Sequence, residues 1–290
     1  MQRVIAHFLY DLKNEIRKSP LHDEIVSVVL IGSAAGGDWV RGKSDVDFII
    51  VARSRKSKKD VEKFFRKTLQ RLNRKYGLRL EEACTDEKKF HSSILNAVFR
   101  LESGFLFGVP YYVIAKEDFD LAKRKVSDRK VWFMMTFIGS LSSFLKSIKQ
   151  TGKVVYGDDI VREIKSAKLG FFDHVKIFLE PYYILLLGFF SLQDSKTALN
   201  HAIKACLLES DVDLQLLHKH LRSYEKDEKL YEKIFSHLSF NIGHIRKCIY
   251  YRSNFEKINP SFSETLGFLF SSLWFILTSH VYYLINLVRR

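Results

Sequence analysis

Residues 32 to 51 read GSAAGGDWVRGKSDVDFIIV. Asp45 and Asp47 flank Val46 and lead into the apolar run Phe48-Ile49-Ile50-Val51. On a strand, alternate side chains share a face. The two carboxylates therefore point one way, and Val46, Phe48 and Ile50 point to a core. Two close carboxylates ionise together only when a cation lies between them. A hard divalent ion that takes oxygen ligands, Mg²⁺ or Mn²⁺, meets that need. Upstream, Gly32 and Ser33 are small enough for backbone N–H groups to approach an anion, and a helix starting there adds positive potential. An anion-cradling loop followed by a carboxylate pair suits a metal-bound nucleoside triphosphate. Lys43 and Ser44, next to the pair in sequence, are candidates to contact that triphosphate together with Gly32 and Ser33.

Several elements must hold these residues in place. Apolar positions at helical spacing predict a helix over 2–18, ended near Pro20. EIVSVVLIG (24–32) is β-branched and ends on a glycine, the pattern of a buried strand. SDVDFIIVA (44–52) is a second strand. The basic segment from 53 predicts an amphipathic helix closed by Gly77. LRLEEAC (78–84) is a third strand candidate, and GVPYYVIA (108–115) a weaker fourth. With Leu78 and Leu80 facing the core, Glu81 joins the face opposite. Glu82 takes its place if a bulge shifts the face. Beyond about residue 120 strand alternation stops and helical patterning takes over, interrupted at Thr151-Gly152-Lys153. Asp158, Asp194 and Asp211 are placed as N-terminal caps. The expected fold is α+β: an α/β domain with a mixed sheet over 1–120, then an all-α helical bundle over 121–290.

The order Ile31-Gly32-Ser33, a spacer of about ten residues, then Asp45-Val46-Asp47 resembles the nucleotidyltransferase superfamily of DNA polymerase beta. The wording is especially similar to the minimal and the antibiotic nucleotidyltransferases, and the likeness covers residues 24 to 85. The resemblance implies that Asp45, Asp47 and Glu81 hold Mg²⁺ or Mn²⁺. It implies that Glu81 serves the acceptor side, and that Gly32, Ser33, Lys43 and Ser44 contact the nucleotide. The reaction implied is transfer of a nucleoside monophosphate from an NTP, with ATP the expected donor, to a hydroxyl on a small molecule, a protein or an RNA. Pyrophosphate leaves. The paired Glu81-Glu82 departs from the family's acid between apolar residues. The alternative is a non-catalytic nucleotide- or RNA-binding protein, antitoxin-like or a scaffold, that keeps the fold. The family also draws a basic residue from its helical part, where Lys153 and Lys204 qualify, and sometimes a base, where Glu163 and Glu180 qualify. VVYGDDI (154–160) is similar to the segment that opens the helical half of antibiotic nucleotidyltransferases.

Bulk composition narrows the partners. The 290 residues are 47% hydrophobic, enough for full cores, which argues against disorder. A formal net charge of +14 favours anionic partners such as nucleotides, RNA or an acidic surface. Cys84, Cys206 and Cys248 are widely spaced, with no disulfide framework and no zinc signature. That spacing, and acidic residues within the first apolar stretch, point to a reducing cytoplasmic setting without a secretory signal. Arg53 to Lys59 form a basic cluster expected at an exposed strand-to-helix turn. From Leu266 to Val288 no side chain is charged, a length that meets the membrane threshold. Yet Ser272, Ser279 and Asn286 form a small polar stripe, which favours a helix buried in a bundle over a span. An exposed apolar face on such a helix would serve a homodimer.

Overall fold

The apolar run Ile25–Ile31 forms β1, buried along nearly its whole length. Asp47–Ala52 (β2) pairs antiparallel to it, and Tyr111–Ala115 (β3) pairs parallel to β2. Lys153–Gly157 (β6) pairs antiparallel to the other edge of β1, giving the mixed order β3-β2-β1-β6. In this computed structural model the described residues are 3–37, 39, 46–78, 111–120, 125–128, 131–132, 140–165, 170–218, 232 and 238–288. They divide into two units, one holding the described residues up to 165 and the other those from 170.

A parallel neighbour requires a crossover. Helix α3 (Arg55–Tyr76) lies in that connection, entered through a Ser54–Ser57 capping box and left through Gly77 in the left-handed conformation. With α1 (Arg3–Lys18) it covers one face of the sheet: Phe8, Leu12, Phe65 and Leu69 meet Leu30, Phe48 and Ile50. The opposite face packs Val29, Ile49, Val51 and Ile114 against Leu145 and Ile148 of α4 (Leu141–Thr151). Burial on both faces explains why these strands read as continuous apolar runs. A small hairpin, β4 (Phe119–Asp120) with β5 (Lys125–Val126), lies by the start of α3. There Arg55 grips buried Asp118 through Nε (3.0 and 3.1 Å) and Nη2 (2.6 Å), and Lys58 pairs with buried Asp128. Arg53 Nε donates to the Asp23 carbonyl at 2.6 Å. Much of the basic cluster is therefore structural.

The first unit runs past the boundary expected near 120. The reason is β6, which completes the sheet, with Ser27 opposite Gly157 and Leu30 opposite Lys153. VVYGDDI is thus a sheet edge and its exit. Asp159, not Asp158, caps the short α5 (Ile160–Glu163). Of the strand expected over 78–84, all but Leu78 lies outside the described residues.

The second unit packs α6 (Phe171–Phe190), α7 (Ser195–His218), α8 (Ser239–Ser253) and α9 (Phe262–Val288) around Leu185, Leu199, Ile203, Ile245, Leu269 and Phe275. Asp194 caps α7, its carboxylate accepting from the N–H groups of Lys196 (3.1 Å) and Thr197 (3.2 Å). Asp211 lies inside α7 rather than capping a further helix, because the helix continues unbroken through it. On α9, residues 262–285 are long and apolar enough to cross a membrane by length and composition. One side of this helix is buried, and the polar stripe is on it: Thr265, Ser272 and Ser279 are fully covered. The other side exposes Phe270, Trp274, Leu277, Val281 and Leu284.

Candidate active site

β1 ends at Ile31, and the chain turns at once into α2 (Gly32–Gly36). Gly32 makes the turn with φ +69°, a conformation L side chains rarely adopt. Gly37 ends α2 in the left-handed region, its N–H donating to the Ser33 carbonyl at 3.0 Å. By helix geometry the first N–H groups of α2 have no partner within it. Ser33, half-buried, belongs to that first turn.

The pairing register brings the second half of the motif to the same place. Asp47 is the first residue of β2 and sits opposite Ile31. Its side chain shares the face of Ile49 and Val51 and is half-buried at the end of the strand. A Cβ built on Gly32 would lie 2.7 Å from Asp47 Oδ2. The carboxylate is therefore seated over the Gly32 backbone, in the space a side chain would fill. This geometry fits a metal-bound phosphate: an oxygen ligand beside a turn free of side-chain bulk.

Gly32, Ser33 and Asp47 thus lie at one end of the sheet, with Asp47 against Gly32. Lys43, Ser44, Asp45, Glu81 and Glu82 lie outside the described residues. On the side away from β1, the described neighbour of β2 is β3, Tyr-Tyr-Val-Ile-Ala, which contributes no carboxylate. Lys153 is exposed and opposite Leu30, so it opens β6 at the end of the sheet where Gly32 and Asp47 sit. Glu163 is exposed at the end of α5 in the same unit. Lys204 (α7) and Glu180 (α6), both half-buried, belong to the second unit.

Residues 10–133 match the family model described as nucleotidyltransferase domain. That match, over less than half of the chain, supports the DNA polymerase beta-like nucleotidyltransferase resemblance read from the motif. Among solved structures, the chain is similar to a spectinomycin adenyltransferase, AAD(9), from Enterococcus faecialis, solved with ATP and spectinomycin. The TM-score is 0.51 at 10% sequence identity, over 93% of this chain and 99% of that one. That likeness is one of fold. No curated protein matches the sequence.

Further groupings among the described residues carry polar chemistry. In the first unit, Lys13, Arg17, Arg53 and Lys116 line a cleft of about 510 Å³ together with Asp23 and Asp158. Ile25, Val26 and Gly157 also line it, which puts it at the opposite end of β1 from Gly32. In the second unit, Tyr182 Oη lies 3.0 Å from His280 Nδ1, and His280 Nε2 lies 3.0 Å from Glu209 Oε1. The His280–Glu209 contact is close but not aligned as a hydrogen bond. Burial holds the Glu209 carboxyl well above the usual range and brings the His280 imidazole down to about 4. The His280 imidazole is thus neutral at pH 7, and burial favours the protonated form of Glu209. Sequence reasoning missed this trio because its members sit on three helices, and their separation along the chain carries no periodic signal.

Proposed function

We propose that this nucleotidyltransferase transfers a nucleoside monophosphate, with ATP the expected donor, to a hydroxyl of a small molecule. Asp45 and Asp47 would hold Mg²⁺ or Mn²⁺, with Glu81 as the third carboxylate. When bound, the metal would offset the charge on the phosphates. Gly32 and Ser33 offer N–H groups to the triphosphate, with Lys43 and Ser44 beside them. Lys153 is a further cation at that end of the sheet. Glu81 accepts the proton of the acceptor hydroxyl. A new P–O bond forms from that oxygen to the α-phosphorus, the α–β bridging bond breaks, and pyrophosphate leaves.

The observation that carries this reading is the seating of Asp47 Oδ2 against the side-chain-free Gly32 turn. The small-molecule acceptor is supported by the adenyltransferase with the shared fold, which was solved with ATP and spectinomycin. The test is a thermal-shift titration with ATP, GTP, CTP and UTP, with and without Mg²⁺ or Mn²⁺, for the chain and its Asp45→Asn/Asp47→Asn variant. The expected result is a metal-dependent rise for ATP that the variant lacks, followed by label transfer from α-labelled ATP to a hydroxyl compound. No rise for any nucleotide from folded protein would sink the reading. A nucleotide-specific rise without pyrophosphate release for any acceptor would favour the non-catalytic binding protein.

A further inference from the structure

The three cysteines look scattered in sequence, but the second unit brings two of them to one point. Cys206 on α7 meets His244 and Cys248 of α8, and one ligand atom from each lies within 4.8 Å of the others. His244 and Cys248 are one helical turn apart and so share a face. Both cysteines are fully buried, and His244 is 5% exposed. A fourth donor comes from α9: Ser272 Oγ lies 3.1 Å from His244 Nε2. The Ser272 hydroxyl proton goes to the Phe268 carbonyl, 2.8 Å away, so the oxygen lone pairs remain for the cluster. Phe268 and Phe275 stack or tilt against the His244 ring and keep the surroundings apolar.

We propose that Cys206, His244 and Cys248, completed by the Ser272 hydroxyl, bind one structural Zn²⁺ that ties α7, α8 and α9 together. Two thiolates and one imidazole are donors that zinc takes in closed sites, and the hydroxyl oxygen would complete a set of four. The charge also decides. Two thiolates neutralise Zn²⁺, so the filled site places no net charge in an apolar core, whereas Cu⁺ with the same ligands would leave a buried negative charge. Full burial leaves no position for a substrate, so the ion acts on folding and not on catalysis.

The test uses the tag-free full-length chain, purified with reductant and without chelator. Elemental analysis is expected to find about one zinc per chain, released by a mercurial thiol reagent and retained on dialysis against EDTA. Cys248→Ser is expected to lower zinc at least about tenfold, while Cys84→Ser keeps it. If Cys248→Ser fails to fold, the wild-type chain expressed with cobalt still decides, through a thiolate-to-cobalt charge-transfer band and a tetrahedral ligand-field spectrum. Folded wild-type protein without zinc and without that band would overturn the proposal. So would a Cys206–Cys248 disulfide in the isolated protein, or loss of zinc in Cys84→Ser.

Discussion

A single missing side chain organises the candidate site. Gly32 is needed twice, for its positive φ and for the space Asp47 Oδ2 occupies. Gly37 also has positive φ, at 101°, yet nothing lies within 4 Å of where its Cβ would be. The two glycines therefore separate backbone strain from carboxylate displacement. Gly32→Ala and Gly37→Ala should each cost about 1–3 kcal/mol in urea unfolding, the usual cost of a strained non-glycine backbone. Only Gly32→Ala should also abolish the metal-dependent ATP response, because only there must the carboxylate move. Equal nucleotide responses in the two variants would contradict the placement of Asp47 at the phosphates.

Helix α9 shows how an element reconciles an apolar sequence with a polar stripe. Its buried side meets α8 through Asn241, whose Nδ2 donates to Ser279 Oγ (3.1 Å) and the Phe275 carbonyl (3.4 Å), and whose Oδ1 accepts from Thr278 Oγ1 (2.9 Å). Asn241 is itself buried, at 1% exposure, so these bonds replace water that cannot reach it. Asn241→Ala should destabilise the protein by about 1–3 kcal/mol in urea unfolding, since it strips partners from buried groups. Asn241→Asp should cost more, because the substituted carboxylate has no N–H to donate and carries a buried charge. A neutral outcome for both would mean that the stripe is not an interhelical contact.

For the molecule as a whole, two predictions concern extent and pH. A chain ending at 120 lacks α4 and β6, leaving one edge of β1 unpaired and Val29, Ile49 and Val51 uncovered. We therefore place the boundary of the first unit near 169. The 1–169 fragment should be soluble and unfold cooperatively, and the 1–120 fragment should aggregate; similar behaviour of the two fragments on gel filtration would refute that boundary. The pH prediction rests on His280, whose imidazole is held at about 4 by burial. The unfolded chain takes up that proton near 6.5. Stability from this group is complete above pH 6.5 and is lost as pH falls through 4, on the order of 2–3 kcal/mol. Glu209 acts in the opposite sense: its raised carboxyl contributes stability at low pH that is lost as pH rises above the unfolded value of 4.5. In thermal melts across pH 4 to 8, His280→Phe should flatten the acid limb and Glu209→Gln should raise the alkaline limb.

What the sequence determined by itself was local. The period-2 pattern at Phe48 and Ile50 set the strand faces, Gly77 closed α3, and the Gly32-Ser33 and Asp47 motif announced the turn after β1 and the start of β2, since each depends on a segment's own backbone and side chains. The tertiary structure decided what those segments meet. β6 carries no buried run, with both ends exposed and the middle half-buried, so nothing in Lys153–Gly157 announces a sheet strand; its pairing with β1 alone makes it one. Cys206 stands far along the chain from His244 and Cys248, and no spacing rule links them. Their convergence follows from the packing of α7 on α8, which depends on which apolar faces fit and not on any local period.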